Sequence, residues 1–333
     1  MPLMDIPRFS LPFLEILPDL LYMGVFMLLF LTALCGPVMS VLSETVFVLK
    51  KKPFFDKFGL QSAQISFWAA FPIYLFLLAY LQFAVQSTPP GTPPLEGLQT
   101  MLPGMAAPFL WAAAFMVYRF TWDMLKRHRG VHLFLGYFSA LLCLATLFLT
   151  FLGIVCIMQP ALVELLWNKP LPTPEVFTSS ALLFLGKEFA ASATAWSFFL
   201  YLAGTGFASA ACLVLPWLLF QRKYADYGRD YYSFALRHAG VWAIVAQTAA
   251  ILSGGALLFL LWESPLHSLA QPEEPLAVAL ACGLPICCIV LWGAMATSKT
   301  PLRHKPGVIV ACFLFFAAMC AQFLTFLSAL PVL

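Results

Sequence analysis

The chain has 333 residues, of which 10% are charged and 62% hydrophobic, and its mean hydropathy is +0.90. A soluble domain carries about a quarter charged residues, so a water-borne globular protein is excluded. The net charge of +3 gives no basic footprint for nucleic acid, and the placement of the cations is more informative than their sum.

Backbone amides find no water in hydrocarbon, so each apolar run of about 20 residues is expected to be a helix. In chain order the runs predict eight spans, at 21–49, 61–85, 104–125, 131–157, 194–220, 236–261, 276–296 and 307–330. The expected fold class is therefore an all-α polytopic membrane protein. Two segments that mix apolar and charged residues at helical spacing, Phe9 to Leu17 and Val176 to Ala190, are expected to lie on the membrane surface ahead of the first and fifth spans.

Orientation follows from Lys and Arg in short loops. Fourteen of the 18 lie in or beside the first, third, fifth and seventh connections, as Lys50, Lys51, Lys52, Lys57, Lys126, Arg127, Arg129, Arg222, Lys223, Arg229, Arg237, Lys299, Arg303 and Lys305. The alternate connections are proline-rich and hold only Lys169 and Lys187. The expectation is a bacterial inner (cytoplasmic) membrane protein with both termini periplasmic. No basic, apolar and small-residue sequence of a cleavable leader is found at the N-terminus.

The connections also repeat. Arg127-His128-Arg129-Gly130-Val131 follows the third span, and Arg303-His304-Lys305-Pro306-Gly307-Val308 follows the seventh. Phe148-Leu149-Thr150-Phe151-Leu152 and Phe323-Leu324-Thr325-Phe326-Leu327 come at closely similar distances beyond. Lys52 to Asp56 matches Arg222 to Asp226. Two tandem four-helix units, residues 1–160 and 161–333, are the economical explanation, related by an axis along the membrane normal.

Ionisable residues inside spans are costly and are the first candidates for function. Glu44, Arg119 and Asp123 lie toward the basic ends of the first and third spans. The repeat puts Val214, Ala296 and Thr300 in their places, so the charges belong to one half. Arg119 and Asp123 are four apart and share a helical face, which allows a simple ion pair anchoring a helix end near the headgroups. The alternative is a proton or quinone pocket in which Glu44 relays a proton and Arg119 sets its charge.

The histidines argue against haem b, which needs axial His or Met ligands facing each other inside a bundle. His128 and His304 fall in basic connections, His267 in an outer one, and His132 and His238 at span edges, where surface or capping roles are the commoner ones. A His132/His238 pair, or a His with Met39 or Met124, is the remaining route to such a site. All nine cysteines lie in apolar runs as packing residues, with no CxxC or CxxCH motif, so no metal site is expected. The chain also lacks a phosphate-binding glycine loop, an HExxH motif and a nucleophile elbow.

Ser43-Glu44-Thr45-Val46-Phe47-Val48-Leu49-Lys50, with Pro53 and Lys57-Phe58 ahead of Trp68, resembles the first cytoplasmic turn of cytochrome bd-type quinol oxidase membrane subunits. The resemblance implies paired four-helix bundles, an outward N-terminus and quinone chemistry. It also implies a histidine in the first span of the haem-carrying subunit and a long outer quinol loop. This first span has no histidine, and the loop is reduced to the run from Trp262 to Pro275. The chain therefore looks like a haem-poor relative, closer in form to the second subunit. Its topology is also similar to NrfD-like quinone-interacting subunits.

The reading is thus a membrane subunit of a respiratory electron-transfer complex. It would anchor redox partners, such as a cytochrome or an iron-sulfur protein, among membrane lipid and contribute to a quinone site. A small-solute or ion transporter is the second reading, since tandem repeats and half-specific charges suit it equally.

Overall fold

The structure, a computed structural model, describes residues 13–86, 109–158, 192–225, 227–262 and 275–328. They form eight α-helices: α1 (Phe13–Lys50), α2 (Pro53–Gln86), α3 (Phe109–Phe120), α4 (Arg129–Met158), α5 (Ala193–Gln221), α6 (Arg229–Trp262), α7 (Pro275–Thr297) and α8 (Lys305–Ser328). A 3-10 turn, Pro301–His304, leads into α8, and there is no strand among the described residues. The expected Val176 to Ala190 surface helix lies outside the described residues. From Phe13 onward the Phe9 to Leu17 segment is not separate but is the first part of α1.

Six helices, α1 and α4 to α8, are long and apolar enough to cross a membrane. The first part of α2 is more polar, with Gln61, Ser62, Gln64 and Ser66 within six residues, and its later side chains lie outside the described set. The third helix is shorter than expected at its basic end. It stops at Phe120, and residues 121–127 form a chain of turns. The cause is local. The Tyr118 carbonyl, which a continuing helix would use, accepts from His132 Nε2 at 3.0 Å and from Thr121 Oγ1 at 3.4 Å.

The core lies where α1 and α5 meet. The first packs against α2, α4, α5 and α8, and α5 against α1, α2, α4, α6 and α8. Small residues set the distance between them: a Cβ on Gly206 would stand 2.5 Å from the Cys35 sulfur. Contacts between connections bring all four basic ones to one end of the molecule. Arg129 reaches Asp56, Phe54 packs on Tyr231 at 5.9 Å, and Arg237 holds the Ser298 carbonyl at 3.1 Å. The chain enters α2 through Lys51, at φ 56°, and α6 through Gly228, at φ 83°.

Candidate functional site: a buried carboxylate–imidazole pair

All four helices of the first half converge on Glu44, which is fully buried. Its carboxylate lies on the inner face of α1, one turn beyond Ser40. Tyr118, at the end of α3, donates its hydroxyl to Glu44 Oε2 at 3.0 Å. Arg129, the first residue of α4, donates Nη1 to Oε1 at 3.1 Å. Three residues on, His132 places Nδ1 2.7 Å from the same oxygen. Asp56 of α2 closes the site. Arg129 Nη2 donates to its Oδ2 at 3.1 Å, and Nη1 stands 2.9 Å from Oδ1.

The donor and acceptor pattern constrains where protons can sit. His132 Nε2 faces the Tyr118 carbonyl, which can only accept, so Nε2 carries hydrogen. Without another proton, the 2.7 Å contact between Nδ1 and Oε1 would set two lone pairs against each other. One proton therefore lies between them, as imidazolium with carboxylate or as imidazole with carboxylic acid. Either way the pair is neutral, and Arg129 and Asp56 cancel. That balance is what lets four ionisable groups sit together with little water. Burial pushes the Asp56 carboxyl up, against the pull of the Arg129 charge.

Aromatic rings seal the pair. Tyr118 stacks on His132 at 4.6 Å, and Trp122 meets the imidazole edge-on at 4.9 Å. The Arg129 guanidinium lies 5.2 Å from the Phe47 ring. On the side facing the third helix, Ser40 Oγ donates to the Gly59 carbonyl at 2.6 Å and lies 3.3 Å from the Tyr118 hydroxyl.

Of the three residues singled out from sequence, only Glu44 is at this centre. Arg119 is half-buried next to Tyr118 with no hydrogen bond to Glu44, and Asp123 is exposed in the turn after α3. Asp123 bonds Lys126 at 2.6 Å, not Arg119 across a helical turn, and that partner holds its carboxyl below the usual range. His132 is a further correction: expected at a surface or capping position, it is fully buried. Sequence reasoning missed Tyr118, Arg129 and Asp56 as members. Tyr118 and Trp122 share the four-residue spacing of Arg119 and Asp123, one position earlier.

Beside the site, α1 and α4 leave a groove of about 370 Å³ lined by Val38, Val41, Leu42, Tyr137, Leu141 and Leu144, among others. At its edge Thr45 Oγ1 and the Tyr137 hydroxyl are 2.8 Å apart. Val41 is one helical turn from Glu44 and is shared between groove and site.

The fold resembles that of a bd oxidase chain. The structure of bd oxidase from Geobacillus thermodenitrificans matches with a TM-score of 0.65 over 93% of this chain and 87% of that one, at 12% sequence identity. The bd-type resemblance read from residues 43–68 is thus matched by the fold of nearly the whole chain. No family model matches the chain, and no curated protein matches it in sequence.

The described histidines have other partners or lie in the connections. Both ring nitrogens of His132 are taken by Glu44 and Tyr118. His238 accepts the Trp242 indole N–H on Nε2 at 3.3 Å, in a box of Phe55, Phe58 and Phe234. His128 and His304 lie in the connections, and His267 is outside the described residues. Met39 is buried in the core, and Met124 is exposed in the turn after α3.

Proposed function

We propose that this chain is a membrane subunit of a respiratory electron-transfer complex, anchoring redox partners in the bilayer and contributing a proton-exchanging site to quinone chemistry. The observation that carries the reading is the 2.7 Å contact between His132 Nδ1 and Glu44 Oε1, buried beneath Tyr118, Trp122 and Arg129. A buried carboxylate in direct contact with an imidazole suits a step in which a quinone gains, or a quinol loses, a proton. The groove between α1 and α4 supports the same reading. It is apolar, open toward the lipid side, and ends beside two hydroxyls that can bond a quinone oxygen. Electrons are carried by the partner, a cytochrome or iron-sulfur protein.

The proposal includes the two tandem four-helix units in the inner membrane with periplasmic termini. Support comes from the matched starts of α4 and α8 after Arg127-His128 and Arg303-His304, and from the equivalent central positions of α1 and α5. Glu44→Gln tests the site in the complex as purified from membranes. The substitution keeps the shape but cannot hold the shared proton, so quinol-linked electron transfer should fall by about 10²-fold or more. A protonated-carboxyl band that responds to added quinone in infrared difference spectra should vanish with it. A folded Glu44→Gln complex with undiminished electron transfer and an unchanged spectrum would sink the proposal.

A further inference from the structure

Four cations gather at the basic end of the second half, and among the described residues none is paired with a carboxylate. Arg229 and Arg237 of α6 and Lys299 and Arg303 of the connection to α8 line one groove of about 430 Å³, with Asp230 the one acid among its lining residues. In the first half Arg129 is held by Glu44 and Asp56, and Lys126 by Asp123. Among the described residues, no carboxylate pairs with Arg229, Lys299 or Arg303.

The groove is also built. Arg237 donates Nε to the Ser298 carbonyl at 3.1 Å and Nη2 to the Lys299 carbonyl at 2.9 Å, which fastens the connection against α6. Ser298 Oγ accepts the Thr300 N–H at 3.1 Å and fixes the turn. Positive charge scattered along loops would record orientation alone. Here a clipped loop and a helix start hold cations around a volume suited to a small anion, with the hydroxyls of Ser233 and Thr300 in the same wall. Phe234 and Leu302 give the groove an apolar side. It lies where the apolar lengths of α6 and α8 begin, the depth at which lipid phosphates sit.

We propose that this groove binds a phosphate group, presented by the head of an anionic phospholipid or as the free ion. Arg229, Lys299 and Arg303 supply the charge, and Arg237 positions the connection that carries two of them. Near a membrane surface each such cation contributes about a fivefold gain in affinity for an anionic lipid.

The test is titration of the detergent-purified chain with fluorescent short-chain phosphatidylglycerol and, separately, phosphatidylcholine, followed by competition with inorganic phosphate. Phosphatidylglycerol should bind more tightly, and the Arg229→Gln/Arg303→Gln protein should lose about 25-fold of that affinity. Arg229→Lys/Arg303→Lys, which keeps the charge, should retain most of it and guards against misfolding. Displacement by millimolar phosphate would make the free ion a ligand, and resistance would assign the site to lipid. Equal binding of the two lipids, or equal loss in a Lys50→Gln/Lys52→Gln control, would overturn the proposal.

Discussion

The two halves of the molecule meet the same problem, cations at the end of a helical bundle, in opposite ways. In the first, the cation that opens α4 turns inward. Arg129 satisfies Glu44 and Asp56 and takes its place in a neutral cluster sealed by rings. In the second, Arg237 bonds backbone carbonyls, its neighbours face a groove, and Val214, the residue that the expected repeat sets against Glu44, is packed in the core. A buried charge needs a complete set of partners or it is removed, and the halves show both outcomes. Among the described residues, the buried carboxylate lies in the first half, while the groove cations of the second lie at its surface.

The largest break in that contrast should come from the two arginines. Arg129→Ala leaves Glu44, Asp56 and His132 with an uncompensated negative charge, and removal of one partner from such a cluster costs on the order of 3 kcal/mol or more. Arg237→Ala removes two hydrogen bonds from a partly exposed turn and should cost about 1–2 kcal/mol. Thermal unfolding of both variants in one detergent measures the difference. Similar losses would mean that the inner cluster is not held as a unit.

Much of this arrangement was legible in the sequence, and the part that was not has a physical cause. Length and hydropathy of the runs sufficed for an all-helical chain, in which six of the eight expected spans are helices long and apolar enough to cross a membrane. The stretch from Ser43 to Lys50 pointed to the right fold, and Glu44 stood out as a carboxylate within an apolar span. The partners of Glu44 did not stand out, because a basic residue at the end of a span records topology far more often than chemistry. Arg129 and His132 lie where both readings predict the same letters. The third helix misled more sharply. Arg119 and Asp123 have the spacing of an ion pair on a continuous helix, but the helix ends at Phe120 because His132 has taken the Tyr118 carbonyl. No local pattern within the third span announces a bond to the fourth.

A smaller test of the contrast uses two glycines at helix contacts. A Cβ on Gly136 would lie 2.7 Å from Tyr118 Cε2 and 2.8 Å from Val41 Cγ2, a ring already fixed by the site and a stiff branched side chain. A Cβ on Gly240 would meet the Met295 methyl at 2.8 Å, the far end of a flexible chain. Gly136→Ala should therefore cost about 1–3 kcal/mol and disturb the Tyr118–Glu44 bond, with Gly240→Ala nearer neutral. If Gly136→Ala unfolds no earlier than Gly240→Ala, the first-half site is looser than its hydrogen bonds imply.

The smallest effect is expected at the turns that lead into α2 and α6, where the chain crosses the left-handed region. Gly228 has φ 83° with nothing within 4 Å of a would-be Cβ, and Lys51 has φ 56° with an ordinary side chain. A side chain in this conformation costs roughly 1 kcal/mol, so Lys51→Gly should stabilise the first half by about that much and Gly228→Ala should weaken the second similarly. The exchange leaves the inner cluster untouched, since Lys51 is solvent-exposed and outside it. Opposite shifts in unfolding temperature, with the infrared signature of Glu44 unchanged in both proteins, would separate the stability of the frame from the chemistry it holds. A change in that signature with Lys51→Gly would instead tie the turn to the site, through the last part of α1 that lies between them.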